Sequence, residues 1–414
     1  MFTLLEIHKV VTGAQVTGLK SQVIKKISTD TRSIQPGDLF IPLKGDRFDG
    51  RKFIPVALKK GAAVLMVKDG LKALQDLAAY HRSKFKIPVI GVTGSVGKTT
   101  TKDMIAAILA QEKKTLKNEE NLNNEIGVPI TLLKLTKKHE AAVIEMAMQG
   151  LGEIELLARL ARPTISVVTN IGEAHLQFLK NKKNVARDKT EIFKYQAKND
   201  FAVINADDEY FEHLIRNVKC HRSNVVTFGI IEKARITPKD LKGIKLPIAG
   251  EHNIYNAMAA LAAARTLGIK KASIKKGLEA FRPSSQRMDV INFKDGTKII
   301  NDTYNANPQS MAAALKVLAC LEGRKIAVLG DMFELGTSAR SAHDRIGKLS
   351  KKLGIDILIS IGELSRSMRS DHHFPDKPAA IKMIKKIMRP GDQLLVKASR
   401  GMRLEEVVEA IRKI

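Results

Sequence analysis

Between residues 94 and 101 the chain reads Gly94-Ser95-Val96-Gly97-Lys98-Thr99-Thr100-Thr101, and these residue types suit a polyphosphate. Glycines let the backbone curl until its N–H groups converge on phosphate oxygens. Lys98 supplies a point charge for the β- and γ-phosphates, and a threonine hydroxyl can ligate Mg²⁺. Gly91 stands one residue too far upstream of Gly97 for the common spacing, so the loop starts at Thr93-Gly94. Three further sites carry usable chemistry. Glu145 closes the apolar run Ala141–Met146, where a carboxylate at a strand end is placed to hold Mg²⁺. Asn170 and His175 follow the apolar run Ile165–Thr169, although His is an unusual ligand for so hard a cation. Arg187-Asp188-Lys189-Thr190-Glu191-Ile192-Phe193 reads by itself as an amphipathic charged helix.

These residues need elements to position them. The apolar run Ile87–Thr93 predicts a buried strand before the loop, and the periodicity of Met104–Leu109 a helix after it, whose N-terminus adds partial positive charge. Strands at Ala141–Met146, Ile165–Thr169 and Phe201–Ile204 alternate with helices at Glu153–Leu160 and Ile254–Thr266, which implies a mainly parallel sheet. After Pro283 a second alternating series begins. It predicts strands at Lys298–Asp302, Lys325–Leu329, Ile355–Ile361 and Gln393–Val396, with helices at Pro308–Leu318, Ser341–Leu353, Ala379–Ile387 and Leu404–Ile411. Before the first strand the chain mixes short strands and turns, with helical spacing at Ile54–Lys60 and Leu71–Phe85, an exposed loop at 44–50, and a basic linker at 82–86. The expected organisation is three α/β domains, at 1–83, 84–282 and 283–414.

Composition narrows the class. A length of 414 residues exceeds one ordinary core, and 44% apolar with 27% charged residues is globular. The net charge of +27 raises nucleic acid as a partner, but the basic residues are spread out, many as Lys-Lys pairs, and aromatics are only 5% with no Trp. No nucleic-acid role is expected. No apolar run reaches the roughly 20 residues of a membrane span, and the first residues lack a secretory pattern. Two distant cysteines fit a reducing compartment, so a cytoplasmic location is expected; a monomer is expected too, although no residue pattern gives the oligomeric state.

The combination resembles the Mur ligases of peptidoglycan synthesis. The resemblance rests on Thr93-Gly94-Ser95-Val96-Gly97-Lys98-Thr99, on Glu145, on Asn170 to His175, and on Lys189, which stands where the family carries a lysine that becomes carbamylated. Further likeness lies in the segments 121–129, 251–257, Asn301-Asp302-Thr303-Tyr304-Asn305-Ala306-Asn307-Pro308 and 329–336, and these resemble the branch that adds a D-alanyl-D-alanine dipeptide. The resemblance implies a UDP-substrate domain, a central P-loop ATP domain and a C-terminal Rossmann-like domain. It implies that ATP activates the terminal carboxylate of UDP-N-acetylmuramoyl-tripeptide as an acyl phosphate, which D-alanyl-D-alanine then attacks.

It also implies roles. Thr93, Gly94, Ser95, Gly97, Lys98, Thr99, Thr100, Asn256, Arg287 and Asp302 are expected at ATP. Thr99, Glu145, His175 and carbamylated Lys189 are expected at Mg²⁺, with Lys98, Lys189 and His175 as the catalytic set. Thr31, Arg32, Lys44, Asp49, Asn121, Asn124, Tyr304, Asn305 and Asn307 are expected at the substrates, and segment 397–401 along the dipeptide side. Arg51, Glu120, Ala147, Gln149 and Gly150 depart from the family pattern. The competing expectations are a ligase adding a single amino acid, a folylpolyglutamate-synthase-type enzyme, or a P-loop switch that joins nothing.

Overall fold

The computed structural model describes residues 2–18, 23–45, 48–119 and 121–412, so Asp46, Arg47 and Glu120 lie outside the described residues. At its centre is a six-stranded, wholly parallel sheet. Its strand order is Val225–Phe228, Phe201–Asn205, Ile165–Val168, Val89–Thr93, Ala141–Glu145, Thr115–Lys117. Val89–Thr93 is buried throughout, as a strand covered by helices on both faces must be. The register pairs Val92 with Glu145 and Thr93 with Val168. Because every strand points the same way, the phosphate loop, Glu145 and Asn170 emerge side by side at one edge, where open α/β sheets bind ligands. The helix after the loop, Lys98–Leu109, starts six residues before its first predicted residue, because its polar first turn carries no apolar periodicity.

A second six-stranded sheet follows, in the order Asp289–Asn292, Lys298–Asn301, Gln393–Lys397, Lys325–Gly330, Ile357–Ile361, His372–Phe374. The first pair is antiparallel and the rest are parallel. Three adjacent strands here end near Asp302, Lys397 and the loop after Gly330. The sequence reading found four strands in each sheet. It passed over the outer strands 115–117, 225–228, 289–292 and 372–374, which are short and only partly buried.

The N-terminal sheet is smaller, in the order Gln15–Thr17, Ala63–Met66, Leu39–Phe40, Ile27–Ser28, beside a short Phe2–Thr3/Val23–Ile24 pair. Its core is shared with the central unit. Ile126, Ile130 and Leu133 pack on the N-terminal cluster, and Ala78, from the helix Gly70–Ser83, is buried in the central cluster. The basic segment 82–86 is therefore no slack linker. Arg82 belongs to the helix and is buried, and its guanidinium donates to the carbonyls of Ala161 at 2.9 Å and Phe85 at 2.5 Å. The two clusters of the C-terminal sheet, by contrast, draw no described residue from before Met288. No helix among the described residues is long and apolar enough to cross a membrane.

Candidate active site

The phosphate loop is laced to the exit of the neighbouring strand. Val96 N donates to Asn170 Oδ1 at 3.0 Å, and Asn170 Nδ2 returns a bond to Val96 O at 2.9 Å. Ser95 Oγ accepts from Gly172 N at 2.8 Å, and Thr169 Oγ1 donates to Val96 O at 2.6 Å. Two glycines are needed here. Gly97 has φ of 83°, and a Cβ there would overlap Asn256 Oδ1; Gly94 has φ of 150°, and a Cβ there would overlap Thr169 Oγ1. Lys98 folds back over the loop, its Nζ donating to Gly94 O at 2.9 Å.

A cavity of about 320 Å³ opens between the central and C-terminal sheets. From the central side it is lined by Ser95, Gly97, Lys98, Thr99 and Thr100, and by Asn121, Glu145, His175 and Asn256. From the C-terminal side come Arg287, Asp302, Tyr304, Asn305 and Asn307. Lys397, which the sequence reading set on the dipeptide side, also lines it; its Nζ donates to Asp302 Oδ2 at 2.5 Å and to Asn305 O at 2.8 Å. The Arg287 guanidinium lies 3.7 Å over the Tyr304 ring, whose hydroxyl donates to Asn121 Oδ1 across the cleft. A larger cavity of about 1090 Å³ continues past Gly97 and Asn256 to Asp207, Tyr255 and the helix Pro308–Ala319.

Arrangement and sequence together decide the family. Residues 92–264 match the Mur ligase middle domain, 286–400 the Mur ligase glutamate ligase domain, and 23–97 the Mur ligase family catalytic domain. The chain is 38% identical to the UDP-N-acetylmuramoyl-tripeptide–D-alanyl-D-alanine ligase of Bacillus subtilis (strain 168), over 94% of this chain and 93% of that protein. The chain belongs to the Mur ligase family. Its three-domain fold superposes on a MurF crystal structure from Acinetobacter baumannii with a TM-score of 0.92 and 30% identity, covering 100% of this chain and 99% of that one. The MurF ligase of Thermotoga maritima, in complex with ADP, is also similar, at a TM-score of 0.85 and 28% identity, over 95% of this chain and 99% of that one.

The remaining residues expected from the family resemblance fall elsewhere. Thr93 is buried beneath the loop, its hydroxyl donating to Met146 O at 2.9 Å. Asn124 Oδ1 accepts from Gly127 N at 2.9 Å and so starts the helix Gly127–Leu132. Asn307 does the same for the helix Pro308–Ala319 while still lining the cavity, accepting from Ser310 N at 2.8 Å. Thr31, Arg32, Lys44 and Asp49 belong to the N-terminal sheet region and line neither cavity. Lys44 and Asp49 pair in an isolated antiparallel bridge. Arg51, 2.6 Å from Asp49, holds that carboxyl down to about 2.

Lys189 lies in the helix Lys182–Thr190, fully buried, and among the described residues its amine has no hydrogen-bond partner. Burial first, and then the charge of Lys98, drive its ammonium well below the ordinary lysine range, against the pull of Asp188. Burial also lowers Lys98, opposed by Glu145 and reinforced by Arg287. Glu145 accepts from Asn123 Nδ2 at 2.9 Å, and its other oxygen lies 4.0 Å from the buried Lys102 ammonium. Sequence reasoning passed over Asn123, Lys102, His252 and Glu334. Asn123, His252 and Glu334 left a signal, each inside a segment that carries the family likeness (121–129, 251–257 and 329–336), and Lys102 left none.

Proposed function

We propose that this chain is an ATP- and Mg²⁺-dependent ligase that adds D-alanyl-D-alanine to the terminal carboxylate of UDP-N-acetylmuramoyl-tripeptide, acting in the cytoplasm through an acyl phosphate. The observation that carries the reading is the single cavity in which the phosphate loop faces Arg287, Asp302 and Tyr304. A carboxylate and an ammonium do not condense in water unless the carboxylate is activated, and transfer of a phosphoryl group to it depends on positioning and charge neutralisation. Likeness to tripeptide–D-alanyl-D-alanine ligases along nearly the whole chain supports this substrate pair over a single amino acid.

Among the described residues no group of three or more His, Cys, Asp and Glu is arranged to hold a metal. The cavity instead offers the Thr99 hydroxyl and the Glu145 carboxylate, while the buried Lys189, outside its lining, is near enough to Lys98 for their charges to repel. That donor set fits Mg²⁺, which takes few protein oxygens and completes its shell with phosphate and water. Thr99 and Glu145 would hold one ion, His175 and carbamylated Lys189 a second. When bound, the ions neutralise the phosphates and let two anions approach.

In this reading Lys98 and the loop amides hold the β- and γ-phosphates, while Arg287 and Asp302 hold the nucleotide from the other side. Asn256 meets the base, and the larger cavity beside it receives the nucleoside. Asn121, Tyr304 and Asn305 orient the reacting ends. The Arg287 charge over the Tyr304 ring keeps that side chain fixed. Thr31, Arg32, Lys44 and Asp49 take the UDP end. The domains are divided at 83/84 and 282/283.

The test is a product assay with UDP-N-acetylmuramoyl-tripeptide, ATP, Mg²⁺ and either D-alanyl-D-alanine or D-alanine. Amide product with the dipeptide, and phosphate release that needs both carboxylate and amine, is the expected result. Phosphate release without either acceptor would make the protein a nucleotide switch instead.

A further inference from the structure

His175 and Glu334 meet across the cleft between the central and C-terminal sheets. Each sits on a loop just beyond a sheet strand, His175 after Ile165–Val168 and Glu334 after Lys325–Gly330. Both are non-glycine residues in left-handed backbone, with φ of 56° and 62°. Such conformations persist only where the surroundings hold them. What holds them here is mutual. His175 Nδ1 lies 2.6 Å from Glu334 Oε2, and Gln177 N donates to Glu334 O at 3.0 Å. An ion pair, Arg345 to Glu173 at 2.6 Å, joins the same two domains. Both His175 and Glu334 line the cavity that holds Lys98, Thr99 and Glu145.

An imidazole whose Nδ1 is tied to a carboxylate carries its proton there, which leaves the Nε2 lone pair free to ligate a cation. Histidines that bind metals are oriented in this way by a carboxylate behind them. Here the carboxylate comes from the opposite domain. We infer that Glu334 is a positioning residue: from the C-terminal domain it fixes the tautomer and ring direction of His175, so that the metal-side histidine becomes competent only when the two domains close. The inference rests on the proposed role of His175 at a magnesium ion. It assigns to the 329–336 loop the task of reporting closure to the metal side of the cleft.

The experiment uses the full chain and three variants, Glu334→Ala, Glu334→Gln and Glu334→Asp. Glutamine can still accept from Nδ1, whereas aspartate keeps the charge but is one methylene too short to reach. With ¹⁵N-histidine labelling and His175→Asn for assignment, the His175 ring nitrogens are read with ADP and UDP-linked tripeptide bound, to close the domains, and without metal. The native chain and Glu334→Gln should show the Nδ1-protonated tautomer, and Glu334→Ala and Glu334→Asp a mixture. In acceptor-dependent phosphate release, Glu334→Ala and Glu334→Asp should need about tenfold more Mg²⁺ for half-activity. Their kcat should largely recover at saturating Mg²⁺, and Glu334→Gln should stay near the native Mg²⁺ requirement. An unchanged tautomer in the alanine and aspartate variants would overturn the inference, as would a fall in kcat with an unchanged Mg²⁺ requirement. The tautomer reading is independent of turnover, so a failure of the native chain to make amide product would sink the ligase reading alone.

Discussion

A carbamate forms only from a neutral amine, and the surroundings of Lys189 supply one. Buried and repelled by Lys98, its ammonium is disfavoured, which favours the free amine that CO₂ needs. The product would be a carboxylate on a long arm, in a place where an ammonium would repel Mg²⁺ by several kcal/mol at an effective dielectric of ~20. Lys189→Ala should lose roughly 100-fold or more in kcat, on the scale of losing a metal ligand, and regain part of it with acetate; an inert acetate titration together with no CO₂ mass on Lys189 in the intact protein would refute this. Lys98→Ala should keep the native circular dichroism yet lose on the order of 10²–10³-fold in turnover, as when one charge-stabilising donor is removed. Near-native turnover would remove Lys98 from the phosphates. At this scale the sequence was legible wherever the site is contiguous, as in the loop at 93–100. It was not legible where a partner lies far along the chain. The Asn123–Glu145 bond spans 22 positions and the His175–Glu334 bond 159, and no local spacing encodes either.

Elements were legible in proportion to their burial. Strands such as Val89–Thr93 and Ala141–Glu145 are buried along their whole length because both faces are covered, and apolar except at their last residue, so they stand out in the sequence. Outer strands such as Thr115–Lys117 and His372–Phe374 have three residues each and polar content, and they resemble loops. Loop direction was hidden for a related reason: it depends on single buried polar groups. His343 is one. Its Nε2 accepts from Met332 N at 2.9 Å and its Nδ1 faces Ala339 O at 2.7 Å, joining the 331–336 loop to the helix Ala339–Lys352. Burial lowers its pKa, so the native state holds it neutral. The unfolded chain takes up a proton as pH falls below about 6.5 while the native state does not. The stability His343 contributes is therefore full above that pH and is lost as pH falls toward its depressed native value. Thermal midpoints measured from pH 7.5 to 5 should fall less steeply in His343→Gln, which keeps both hydrogen bonds without the titration. Parallel curves for the two proteins would contradict this.

Taken as a whole, the molecule is two bodies of unequal independence. The N-terminal and central sheets share apolar core, whereas the C-terminal sheet meets the central one through polar pairs: Ser284 with Asp103 at 2.9 Å, Tyr304 with Asn121, and Glu334 with His175. The junction after Pro283 includes Gln286 and Met288, both at positive φ. Polar contacts exchange with water at small net cost, so this interface opens more readily than the one that shares apolar core. Small-angle scattering should show a smaller radius of gyration with nucleotide and UDP-linked tripeptide than without; identical radii would argue against rotation about the junction. The pair that shares core has its own consequence for selection by length. With Arg82 pinned to Ala161 and Ile130 packed into the N-terminal cluster, the distance from the proposed UDP end to the phosphate loop is held by shared core. Such a frame works as a ruler. A precursor one amino acid short, anchored at the same end, would leave its carboxylate about 3.5 Å short of the position the full precursor reaches, and movement of the C-terminal domain alone does not make up that gap.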